Sequence, residues 1–254
     1  MIDKQRLRDE FKKYTDDYDA SNEKVKLKIV HTYRVAELCE QIAGSENMSD
    51  EDCDLAYLIG MLHDIGRFEQ LKRYNTFIDA ESVDHATFGA DLLFQEGLIR
   101  RFCEDFGEDE LIEKSIRNHS AFRIEPGLSP RIQSFCHILR DADKIDIIRV
   151  NIDFRLEDIY NVTTEELMNA QVSEAVMQAF YQHSAVLRSL KSSCIDHLIG
   201  HISLTYELVY PKSLEIMVSQ GYLDKMMNFK SQNPVTNEQM ANIREEMGRY
   251  LSQK

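Results

Sequence analysis

Apolar residues recur along this chain at intervals of three and four positions almost from end to end. No stretch alternates apolar with polar in the manner of a half-buried strand. Leu27, Val30, His31, Arg34, Val35, Leu38 and Ile42 keep this rhythm, and Gly44 is expected to end their helix. Ser49 opens the next, with Asp52 as a weak capping-box partner and Leu55, Leu58, Ile59 and Leu62 behind it. Ser129-Pro130 is an N-cap and first-turn pair ahead of Ile132, Phe135, Cys136, Leu139, Ala142, Ile145 and Val150. Further helices are expected at His85–Glu96, Glu108–Asn118, Glu165–Ala170, Ser173–Leu190, Cys194–Tyr210 and Leu214–Gln220. A last one runs through Met240, Ile243, Met247 and Leu251, with Thr236 and Gln239 as its capping box. The stretch from Arg67 to Val83 reads as loop with a short helix, and Gly66 as a break. With only 10 glycines and 4 prolines to interrupt helices, the pattern predicts an all-α fold.

At 254 residues the chain is long enough for a large buried core. Hydrophobic residues are 43% and charged residues 29%, a globular profile. The longest apolar stretch, Leu55–Leu62, is too short to span a bilayer, and Met1–Tyr14 lacks the apolar core of a signal peptide. A cytoplasmic protein with no membrane partner is expected. The net charge of −14 disfavours duplex nucleic acid as a partner. It leaves room for a small phosphorylated substrate, because a bound cation and a few arginines reverse the local potential. Five cysteines without C-x-x-C spacing read as reduced thiols, not as a disulfide framework or zinc finger. Oligomeric state is not legible.

The chemistry-bearing residues are imidazoles and carboxylates spread over several helices. His63-Asp64 closes the apolar run, His31 lies upstream, Asp143 downstream within Arg140-Asp-Ala-Asp-Lys144, and His85 and His119 near helix boundaries between them. Such donors suit Mn, Fe, Zn, Ni or Mg. Adjacent residues on a regular helix point about 100° apart, so His63 and Asp64 can share an ion only at a helix end. A lone histidine on an apolar stripe is most often a hydrogen-bonded core residue; the ordered set is the more demanding observation.

That order, H…HD…D on helices, resembles the HD-domain superfamily of metal-dependent phosphohydrolases. The likeness covers roughly residues 20–150, with His63-Asp-Ile-Gly-Arg67, Asp84-His-Ala-Thr-Phe-Gly89 and Arg140-Asp-Ala-Asp-Lys144 as its local text. It implies a helical HD core over residues 1–150, including an N-terminal helix, with a C-terminal helical extension at 151–254 packed on it as one structural unit. It also implies that His31, His63, Asp64 and Asp143 hold one divalent ion. In two-metal members the residue at Asp64 bridges, and histidines matching His85 and His119 hold a second. Some of those carry two consecutive histidines where this chain has Asn118-His119-Ser120. One ion is therefore the base expectation and two the extension; with one ion, His85 and His119 would face the substrate phosphate. The Gly-Tyr-Pro signature of the cyclic-dinucleotide subgroup is missing.

The expected activity is hydrolysis of a small phosphate ester, such as a nucleotide or dinucleotide, with Asp64 orienting or deprotonating the attacking water. A bound divalent ion lowers the pKa of water from ~15.7 to near ~7 and polarises the phosphoryl oxygen. Arg67 is the first candidate for a phosphate clamp and Lys144 a weaker one, each against the plainer reading of a structural salt bridge. The alternatives are a sensor that binds metal and nucleotide without cleaving, and a di-iron oxidative enzyme on the same fold. His197 and His201, spaced i and i+4 without the Glu of H-E-x-x-H, read more simply as core than as metal ligands. Tyr160, Tyr181 and Tyr206 are candidate cleft-wall or core residues.

Overall fold

The computed structural model describes residues 2–155 and 162–254, and among them every regular element is helical. No described helix is long and apolar enough to cross a membrane. Two compact units divide the chain, residues 1–143 and 144–254.

In the first unit, α1 (Lys4–Thr15) is capped by Asp3, α2 (Glu23–Ser45) by Asn22 and α3 (Asp50–Leu62) by Ser49. Each of these short polar side chains accepts a hydrogen bond from an otherwise unpaired first-turn amide. α2 and α3 pack side by side, at a place where a Cβ on Gly60 would lie 2.6 Å from the Ala36 Cα. Phe11 and Tyr14 of α1 meet Phe68 edge-on at centroid separations of 5.9 Å, and Phe11 meets Tyr33 at 5.5 Å. Rings in this geometry set the edge of one against the face of the other.

The chain turns at His63 and Asp64, and α4 (Ile65–Tyr74) starts at once. This corrects two expectations. The short helix expected within Arg67–Val83 starts earlier, at Ile65, and Gly66 lies inside that helix without a left-handed backbone. Gly66 serves close approach instead. A Cβ there would sit 2.6 Å from the His85 carbonyl oxygen and 2.7 Å from the Gly89 amide, so α4 crosses α5 (His85–Phe94) backbone to backbone. α6 (Asp109–Asn118) packs on α5 and α3, and α7 (Pro130–Asp153) contributes its residues up to Asp143 to this unit.

The second unit is a set of shorter helices. Thr163 and Glu166 form a capping box for Thr164–Asn169. The helix expected over Ser173–Leu190 stops at Tyr181, because His183 takes a left-handed φ of 53° and the chain stays irregular up to a 3-10 turn at Arg188–Leu190. The one expected over Cys194–Tyr210 is Asp196–Ser203 followed by a 3-10 turn. Pro211–Ser219 follows, and Tyr222–Met227 is a helix the periodicity did not separate. The last, Pro234–Leu251, starts at an Asn233 cap. Thr236 and Gln239 are not its capping box: Thr236 Oγ1 donates to Ala170 O at 2.7 Å and Gln239 Nε2 to Val172 O at 2.9 Å, anchoring the helix to the segment before it.

Candidate metal centre

Four separate elements of the first unit deliver donor atoms to one carboxylate. His31 comes from the middle of α2, His63 and Asp64 from the break between α3 and α4, His85 from the first position of α5 and His119 from the end of α6. All five are buried. Asp64 Oδ2 lies 3.6 Å from His31 Nε2 and 3.5 Å from His63 Nε2, while Oδ1 lies 3.6 Å from His85 Nε2 and 3.8 Å from His119 Nε2. Asp143 of α7 joins the first pair, its Oδ1 3.1 Å from His31 Nε2 and 3.9 Å from His63 Nε2.

The tautomers follow from the partners. His63 Nδ1 is 2.7 Å from Gly60 O, and His119 Nδ1 is 2.7 Å from Ile116 O. A carbonyl oxygen only accepts, so in each ring the proton sits on Nδ1 and the Nε2 lone pair points inward. His85 Nδ1 faces Asp79 Oδ2 at 2.7 Å, with the same result. His85 Nε2 and His119 Nε2 then confront each other at 3.0 Å, and His63 Nε2 meets His31 Nε2 at 3.3 Å. Between His85 and His119 these are facing lone pairs, which repel unless a cation lies between them. With metal–donor bonds of about 2.0–2.2 Å, donors sharing an ion stand roughly 3.0–3.5 Å apart, close to these separations. The donor set fits a divalent cation on either side of Asp64: His31, His63 and Asp64, joined by Asp143, on one side, and Asp64, His85 and His119 on the other.

Electrostatics agree with ligand duty. Burial alone would raise the Asp64 carboxyl, but Lys28 and then His63 and His85 hold it well below the usual carboxylate range. Burial likewise opposes ionisation of Asp143, and His31 more than offsets it. Burial and then the neighbouring His85 and His63 pull His119 down to about 3, so it is neutral at physiological pH. His85 is lowered too, by burial and then by Arg67, against the pull of Asp79. Neutral imidazoles and ionised carboxylates are the metal-binding forms.

Several residues that hold the centre were not legible in the sequence. Lys28, one helical turn before His31, donates from Nζ to Asp64 Oδ2 at 2.6 Å. Asp79 orients His85, and Gln70, buried completely, bridges Asp79, Ser82 and the Val83 carbonyl. Arg140 directs its guanidinium onto the carbonyls of Asn118, His119, Ala121 and Phe122, fixing the turn that presents His119. Basic side chains at a helix C-terminus complement its unpaired carbonyls. The spacing of Lys28 from His31 was the only available hint, and it did not stand out among 30 lysines and arginines.

The other expected residues fall as follows. Arg67 Nη1 donates to Asp79 Oδ1, Gln70 Oε1 and Phe77 O, at 2.7, 2.8 and 2.7 Å. Its Nε is buried without a hydrogen-bond partner, 3.7 Å from Asp64 Oδ1. Lys144 is buried, with Nζ 3.4 Å from Glu207 O within the second unit. His201 Nδ1 lies 3.0 Å from Asn151 Oδ1, and among the described residues no third ligand joins His197 and His201. Tyr181 is exposed, Tyr206 is buried, and Tyr160 lies outside the described residues.

No curated protein and no solved structure matches the chain. Residues 29–148, a span that contains all six centre residues, match the HD domain family. The chain therefore carries an HD domain over these residues.

Proposed function

We propose that the protein is a metal-dependent phosphohydrolase that cleaves a small phosphate ester at the Asp64 centre. The observation that carries this reading is the set of inward Nε2 lone pairs on His63, His85 and His119 around a carboxylate that offers one oxygen to each histidine pair. A divalent cation held there would supply an acidified water and a polarised phosphoryl oxygen. Asp64, kept ionised, would orient that water and accept its proton. Arg67 Nε, a buried donor beside Asp64 with no acceptor of its own, is the group we assign to a phosphoryl oxygen. Its Nη1 meanwhile holds Asp79, which holds His85. Lys28 balances the charge of Asp64 on the other oxygen. Lys144, next to Asp143 in the chain, is the weaker candidate for the phosphoryl contact.

The test is metal analysis of the purified protein followed by a phosphate-release screen over nucleotides and dinucleotides with added Mn, beside Asp64→Asn. Release that depends on metal and disappears in the variant is the expected result. Equal release from both proteins, or a folded protein with no affinity for any divalent metal, would end the reading.

A further inference from the structure

The second unit gathers the basic side chains of Lys191 and Arg188 about one helix face. The nearby carboxylate, Asp196, is saturated. It accepts from Ser173 N at 2.8 Å and Ser173 Oγ at 2.7 Å, and from the Ser192 and Ser193 amides, both at 2.9 Å. These bonds pin the segment that follows Lys191 to the start of Asp196–Ser203 and lay the Lys191 side chain along that helix. A Cβ on Gly200 would stand 2.6 Å from Lys191 Cε and would collide with Nζ, so the amine occupies space that any other residue at 200 would fill. His197, Gly200 and His201 share one face, being three and four positions apart. Arg188, in the preceding 3-10 turn, acts on the same group, its charge lowering the basicity of Lys191 and of both histidines.

Neither the Lys191 amine nor the Arg188 guanidinium makes a hydrogen bond or ion pair with any described residue. Burial, then Arg188, bring the Lys191 amine down to about 8 against the weaker pull of Asp196. A half-buried ammonium beside another cation is costly, and in a chain of net charge −14 a carboxylate would ordinarily have been placed beside it. The arrangement is complementary to an anion that brings two charges of its own and several acceptor oxygens.

We infer that Lys191 and Arg188, over the His197–Gly200–His201 face, form a binding site for a phosphoryl dianion, either free phosphate or the phosphate of a monoester. The amine supplies a compact charge and the guanidinium a planar pair of donors. The site shares no residue with the Asp64 centre and does not depend on its activity.

The experiment uses full-length protein carrying Asp64→Asn, so that phosphate bound at the metal centre does not contribute. Inorganic phosphate and adenosine monophosphate are titrated separately by calorimetry, and the side-chain resonances of Lys191 are followed against pH with and without phosphate. Lys191→Gln should weaken binding at least ~10-fold and Arg188→Gln several-fold, as loss of a charge-assisted hydrogen bond does. The Lys191 titration should move to higher pH when phosphate is present. Tighter binding of the monoester would identify an esterified ligand; tighter binding of inorganic phosphate would identify the free ion. Unchanged affinity in Lys191→Gln, or a Lys191 titration indifferent to phosphate in the unsubstituted chain, would overturn the inference.

Discussion

Two groups of imidazoles, built from the same residue type, have opposite surroundings. Around Asp64 the histidines turn lone pairs toward two ionised carboxylates, which suits a cation. Around Gly200 they lie beside Lys191 and Arg188, while the nearby carboxylate is consumed by backbone amides and a serine, which suits an anion. Burial and neighbouring positive charge suppress protonation of His119 in the first group and of His201 in the second. The difference lies in what accompanies the imidazoles. A histidine on an apolar helix stripe therefore says little about its ligand until its charged neighbours are known.

Substitutions can break this contrast at several depths. The largest effect is expected from Asp64→Asn, which keeps the shape but removes the charge both histidine pairs share. Metal affinity should fall by more than the ~10–100-fold that loss of an outer partner costs, and phosphate release should vanish. Next is Asp79→Asn, which leaves every ligand in place but weakens the hold on the His85 ring together with the ion pair to Arg67. Metal affinity should drop ~10–100-fold by calorimetry. An unchanged affinity would show that Asp79 does not fix the ring.

The glycines give a sharper comparison. Gly66→Ala sets a methyl group against the backbone of α5, which cannot yield, and should cost about 1–3 kcal/mol in denaturant unfolding. Gly200→Ala meets only the mobile end of Lys191, and the helix itself prefers alanine by up to ~1 kcal/mol, so stability should hold or rise. Equal losses at both positions would refute the distinction between backbone and side-chain contact. The smallest effect concerns pH. His201 binds its proton near 3 when folded and near ~6.5 when unfolded, so the unfolded chain takes up more protons across that interval. The stability contributed by neutral His201 is full above ~6.5 and is lost progressively as pH falls toward 3. The thermal midpoint of His201→Gln should therefore decline less on acidification than that of the unsubstituted chain.

Much of the first unit was legible because its helices carry strong local signals. Asn22, Ser49 and Asp84 begin helices where short polar side chains precede apolar periodicity. The break at His63-Asp64 could be reasoned from the 100° between successive helical side chains, although its cause was assigned to the wrong residue. Gly66 was read as a turn because glycine usually marks one, whereas here it permits two backbones to touch, a fact that belongs to α5 as much as to α4. Helix ends in the second unit were misplaced for a similar reason. The left-handed His183 and the tertiary bonds of Thr236 and Gln239 have no signature within a window of local sequence.

The sequence by itself determined the helical architecture and singled out six imidazoles and carboxylates that meet in the fold, since periodicity, caps and a fixed order of residue types are properties of neighbours along the chain. The tertiary structure alone decided which lone pairs face inward, that Lys28, Asp79 and Arg140 support them, and that Lys191 lies across Gly200. Those outcomes depend on groups as far apart as Lys28 and Asp64, or Asn118 and Arg140, whose meeting is set by helix packing. Side-chain protonation and charge balance follow from such meetings, because Coulomb and desolvation energies depend on distance and burial in space, not on separation in sequence.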